Sequence, residues 1–155
     1  MTEESNKSSF PDLTKRSPRS PRQRLGGYVL LPRMLDKGRA EIAGKNGEYH
    51  YNCPLDQHFV NFTGIDPAVL REQLVAGKGD GEILDWITET AQHKRTPWEI
   101  EQWSEYMQRR GPDGDAESRQ YFGEMLDKLT DKRADIKTWA DLLDLDDHVS
   151  FGGKP

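Results

Sequence analysis

Four times along this chain a helix-capping residue stands directly before an apolar stripe at helical spacing: at Asp66, Asp80, Thr96 and Thr138. A capping oxygen satisfies a backbone N–H that a helix start leaves open, so each of these positions marks a helix boundary. The strongest is Thr96-Pro97-Trp98-Glu99, a capping box with proline in the first turn. The helix behind it carries Ile100, Trp103 and Met107 and stops at Gly111-Pro112. Asp66-Pro67 starts a helix that buries Val69, Leu70 and Leu74. Asp80 caps one with Ile83, Leu84, Trp86 and Ile87, and Thr138 caps a last one with Trp139, Leu142 and Leu143.

Two more stripes complete the pattern. Leu31, Leu35, Gly38 and Ile42 predict a helix over Tyr28–Ala43, and Tyr121, Phe122, Met125, Leu126 and Leu129 predict one over 115–129. Cys53-Pro54 opens a shorter helix with Leu55, Phe59 and Phe62 inward. Ser20-Pro21 is a further possible helix start. The expected fold is mainly α: a compact bundle of about six helices, with at most a very short β element near 47–52, where Glu48-Tyr49-His50-Tyr51-Asn52 alternates. Residues 1–10 are expected to be a disordered tail and 11–153 a single helical domain. Only 34% of residues are hydrophobic. Amphipathic helices suit such a chain because each buries one stripe and leaves the rest charged.

No apolar run approaches a membrane span, and the polar N-terminus lacks the pattern of a signal peptide. Cys53 is the sole cysteine, which excludes an intrachain disulfide and points to a reducing, cytoplasmic setting. The net charge is −5, yet residues 1–24 are basic through Lys7, Lys15, Arg16, Arg19, Arg22 and Arg24. The acidic remainder argues against broad nucleic-acid binding and leaves it open only through the arm 15–24.

The stretches Leu25-Gly26-Gly27-Tyr28, Pro32 to Ala40, Gly47 to Asp56 and Thr138 to Asp147 resemble a bacterial family known as domain of unknown function 5069. The resemblance spans about residues 11–153. It implies that the Ser-Pro-Arg arm belongs to the domain, and it brings no activity.

Candidate site residues fall in two groups. Arg33, Asp36, Lys37 and Arg39, with Tyr49 and Tyr51, are candidate ligand-binding residues. Arg33, Lys37 and Arg39, joined by Arg19 and Arg22, suit an anion such as phosphate or carboxylate; ordinary ion pairing on a helix surface is the competing account. Gly38 among them points to close packing or ligand approach. Cys53, His50 and Asp56 are candidate catalytic residues. A thiol at a helix N-terminus is activated by the open N–H groups and the dipole, with His50 as a base; a buried, inert cysteine is the alternative. His50, Cys53, His58 and His148 lack the paired spacing of a zinc motif. Asp144, Asp146 and Asp147 lack the glycine and glutamate of a calcium loop. No metal and no cofactor is therefore expected. Trp86, Trp98, Trp103 and Trp139 are expected in the core. The functional expectation is a module that binds a small anionic ligand or a protein partner. An enzyme built on Cys53 is the alternative, and contact with nucleic acid through the arm is a third.

Overall fold

The computed structural model describes residues 7–155. Of the expected tail, 1–6 lie outside these residues, 7–8 are helical and 9–10 turn into the following coil. Among the described residues the fold is mainly α. Strands β1 (Arg24–Leu25) and β2 (Tyr28–Val29) precede helices α1 (Leu31–Ile42), α2 (Asp56–Thr63), α3 (Pro67–Val75), α4 (Asp80–Thr90), α5 (Pro97–Arg109), α6 (Ala116–Leu129) and α7 (Trp139–Ser150).

The β element is not where the alternation placed it. Residues 47–52 are turn and coil. The antiparallel pair Arg24↔Val29 and Leu25↔Tyr28 instead closes around Gly26 and Gly27. Both glycines have positive φ, 58° and 86°, the conformation a two-residue hairpin demands. Tyr28 and Val29 are thereby strand rather than helix, and α1 starts only after Leu30, itself at φ 71°. No helix starts at Ser20-Pro21. There the Ser20 hydroxyl donates to Asp144 and accepts from the Arg22 N–H.

The caps behave as expected at three of the four marked positions. Asp66 accepts from the Ala68 N–H, and Thr96 and Thr138 form full capping boxes with Glu99 and Asp141. At α4 the cap residue is Gly79, whose N–H is held by Glu82. Asp80 lies one residue inside the helix, and its carboxylate instead accepts from Arg19 and Arg39.

The main core joins Tyr28, Leu31, Met34 and Leu35 to Phe59, Ile65, Leu70, Leu74, Ile83 and Ile87. A smaller core of Phe122, Ile136, Leu142 and Leu145 holds α6 against α7. Gly38 sits where α1 meets α3: a Cβ there would lie 2.6 Å from Leu74 Cδ1 and 3.2 Å from the Tyr51 ring. Its role is close packing. Three apolar expectations fail. Val69 is on the outer side of α3, Trp98, in the first turn of α5, is 69% exposed, and Tyr121 of the α6 stripe is 55% exposed.

Candidate functional site

Helix α1 is buried on two faces of opposite character. One carries Leu31, Met34 and Leu35 into the main core. The other carries Arg33 and Lys37, one turn apart, whose side chains are only 5% and 4% exposed. A buried cation is tolerated only when paired and hydrogen-bonded, and each of these has a buried carboxylate from another element.

Arg33 reaches α7. Its Nη1 donates to Asp147 Oδ2 at 2.7 Å, its Nη2 to Asp147 Oδ1 at 3.3 Å, and Nη1 also to the Arg19 carbonyl. The Tyr49 hydroxyl donates to Asp147 Oδ1 at 2.7 Å, and the guanidinium carbon lies 5.5 Å from the Tyr49 ring centre. Burial by itself lowers the Arg33 pKa, but the hydrogen bonds and charge of Asp147 reverse this and raise it. The Tyr49 hydroxyl is pushed well above the usual phenol range, first by burial and then by its bond to Asp147.

Lys37 reaches the start of α2. Its Nζ is 2.9 Å from Asp56 Oδ2 and donates to Cys53 Sγ at 3.2 Å. The Cys53 N–H donates to the same Asp56 oxygen at 3.3 Å. Cys53 is thus not the cap of the helix it precedes, because α2 begins at Asp56 with Leu55 as cap residue. The thiol's partner is the ammonium of Lys37 rather than the helix end or His50.

Of these residues, Arg33, Lys37, Tyr49 and Cys53 line a cavity of about 600 Å³ between α1, the 47–55 loop and α7. Its lining includes Arg33, Lys37, Tyr49, His50 and Cys53, Asp146 and Ser150 of α7, and the apolar Leu13, Leu55, Leu143 and Phe151. A second cavity of about 420 Å³ adjoins it and shares Cys53, Leu55, Tyr121, Leu143 and Asp146. It continues between α2, α6 and α7 past Pro54, Met125, Trp139 and Leu142 to His58 and Arg110. The Asp146 carboxyl, at the shared wall, is held above the ordinary aspartate range by burial and by the neighbouring Asp147. The His58 imidazole is held below its ordinary range by burial and by Arg110.

The other candidates lie elsewhere. Asp36 and Arg39 face the N-terminal arm. Asp36 accepts from the Arg19 N–H and guanidinium, and Asp80 accepts from both Arg19 and Arg39. Arg22 pairs with Asp141 and Asp144, and Arg24 with Glu105. These bonds fasten the arm to α1, α4, α5 and α7, and leave Lys15 and Arg16 as the cations of segment 15–24 without a carboxylate partner among the described residues. Tyr51 turns away from the cavities, donating to the Pro67 carbonyl at 2.6 Å with its ring against Gly38.

Residues 15–149 match the family described as Domain of unknown function (DUF5069). The chain belongs to that family. The DUF5069 match takes in β1 to all but the last residue of α7, the whole lining of the second cavity, most of that of the first, and the buried pairs Arg33–Asp147 and Lys37–Asp56. No curated protein matches the chain. Among the described residues no helix is long and apolar enough to cross a membrane, and no three His, Cys, Asp or Glu side chains are grouped to hold a metal ion.

The sequence pointed to Arg33, Lys37, Tyr49, His50 and Cys53, which line one cavity. Asp146, Asp147 and His58 stood out in it only as metal ligands, a role their pattern did not support, and Arg110 did not stand out. Asp147 carries no local signal beyond an acidic run, because its partner lies 114 positions away.

Proposed function

We propose that the cavity between α1 and α7 binds a small molecule through Arg33 and Lys37. The supporting observation is that both cations are buried and line the cavity while keeping unused donors. Lys37 has three N–H groups, of which Asp56 and Cys53 engage two, and the Arg33 Nε makes no hydrogen bond among the described residues. A cavity of about 600 Å³ with apolar walls and a few converging polar groups has the usual make-up of a ligand site. Because Asp56 and Asp147 already neutralise the two cations, and Glu48 and Asp146 also line the wall, the ligand is a monoanion or a polar acceptor rather than a polyphosphate. Asp36, Arg39 and Tyr51 are assigned to structure and not to this site.

The test is a thermal-shift series over small carboxylates, phosphorylated metabolites and nucleotides. Carboxylates are expected to stabilise the protein, and Ser150→Trp, at the exposed rim, is expected to abolish the shift without touching the buried pairs. A flat response across the panel would overturn the reading. A protein occupant in place of a small ligand remains the alternative within this reading, and co-purification with an unaltered α1–α7 rim would favour it.

A second reading makes the protein an enzyme through Cys53. Its support is the Lys37 ammonium 3.2 Å from a half-buried sulfur that faces both cavities, since positive charge beside a reachable thiol favours nucleophilic chemistry. Iodoacetamide should label native Cys53 faster at neutral pH than a free cysteine. No labelling of the native protein would end this reading. Contact with nucleic acid through the arm draws little support, because Arg19, Arg22 and Arg24 are engaged by carboxylates. A cytoplasmic setting belongs to the same proposal, supported by the unpaired Cys53.

A further inference from the structure

Arg110 is an exception among the arginines of this protein. Arg19, Arg22, Arg33, Arg39, Arg71, Arg95 and Arg133 are buried or half-buried, and each has a carboxylate within 4.0 Å. Arg110 is likewise half-buried, just past the end of α5, and has no carboxylate within that distance among the described residues. Its backbone is committed: the N–H donates to the Tyr106 carbonyl, and its own carbonyl accepts from Trp139. Arg110 lines the second cavity with Leu55, His58, Met125, Trp139, Leu142 and Asp146, and its positive charge reaches the His58 imidazole in that lining. An unpaired cation in an apolar pocket keeps its full capacity to attract an anion, in surroundings that screen it less than water does.

We infer that the second cavity is a binding site for a hydrophobic organic monoanion, an aryl or alkyl carboxylate, with Arg110 as its counter-charge and the Leu55–Trp139–Leu142 walls around its body. Its volume of about 420 Å³ suits such a ligand. His58 shares the cavity, and burial and Arg110 both disfavour its protonation. Its imidazole supplies a hydrogen-bonding edge beside Arg110. Asp146 is the one acidic side chain in the lining, and it stands at the wall shared with the first cavity. An entering carboxylate is therefore directed to the Arg110 end and the apolar body toward Cys53. This site does not depend on ligand binding by Arg33 and Lys37.

The experiment is calorimetric titration of the full chain with 2-naphthoate and with its uncharged analogue 2-naphthamide. Naphthoate should bind at least about tenfold more tightly, the worth of one hydrogen bond to a charged group. Arg110→Gln should reduce naphthoate to the affinity of the amide and leave the amide unchanged, whereas Arg110→Lys should retain part of the preference. Ser150→Trp, which plugs the first cavity, should leave naphthoate binding intact, so the two sites fail separately. Absence of naphthoate binding at millimolar concentration, equal binding of acid and amide, or unchanged naphthoate affinity in Arg110→Gln would each overturn the inference. Circular dichroism of both Arg110 variants guards against a loss that only reports unfolding.

Discussion

The two adjoining cavities treat positive charge in opposite ways. In the first, Arg33 and Lys37 are almost fully buried and each is matched by a buried aspartate. In the second, Arg110 is half-buried and has no carboxylate partner among the described residues. Its partial exposure permits the difference. A fully desolvated cation without a partner would cost several kcal/mol, so folding tolerates it only beside a carboxylate, whereas a cation still touching solvent needs none. Charges paired for folding are poor bait for a ligand, and a charge left unpaired is good bait. The first cavity accordingly favours weakly charged acceptors and the second a true anion.

The largest expected effect breaks or sustains this contrast directly. Lys37→Met strands Asp56 in the interior and should cost about 3–5 kcal/mol, read from urea denaturation. Arg110→Met strands nothing and should cost about 1 kcal/mol or less by the same measurement. Equal costs would mean that Arg110 has a structural partner after all.

Next is recovery. The double variant Lys37→Met with Asp56→Leu removes both charges and should regain most of the loss, within about 1–2 kcal/mol of the parent, because a buried pair is often replaceable by apolar residues. No recovery would show that the Cys53 contact or cavity packing matters more than the charge balance.

Smaller is the pair of tyrosines. Tyr49→Phe leaves one Asp147 oxygen short of a donor and should cost about 1–2 kcal/mol. Tyr121→Phe, on the wall shared by the cavities, removes a hydroxyl that is exposed, and should be neutral within about 0.5 kcal/mol.

The smallest is a pH effect at that shared wall. The Asp146 carboxyl has a folded-state pKa above 3.8, raised by burial and by Asp147. The folded protein therefore binds that proton more tightly than the unfolded chain, and stability falls as pH rises through and above 3.8. Asp146→Asn should raise the melting temperature at pH 7 and bring little change below pH 3.5. An equal shift at both pH values would point to packing rather than charge.

The helices were largely legible in the chain. Capping residues and three/four spacing are local, so Asp66, Thr96 and Thr138 mark starts that the fold keeps. The errors came where two local signals compete or where a distant group intervenes. Gly26-Gly27 is a hairpin turn that also precedes a helical stripe, and the stripe drew Tyr28 and Val29 into the wrong element. Asp80 has a capper's chemistry, yet Arg19 from the arm takes its carboxylate at 2.7 Å. Trp98 obeys the composition of a core residue but projects from the first helical turn into solvent.

The candidate site divides the same way. Arg33 and Lys37 share a face because i and i+4 always do, and the sequence alone decides that. What it does not decide is whether such a face is a solvated surface or a buried seam. Asp147 and Asp56 answer that from 114 and 19 positions away, in helices whose placement depends on every apolar contact between them. Local periodicity thus determined the elements and their faces, because its causes lie within one or two turns. Which cations are neutralised, and that Cys53 meets Lys37 rather than a helix end, was decided only by the tertiary structure, because burial sets the cost of an unpaired charge and burial is a property of the whole fold.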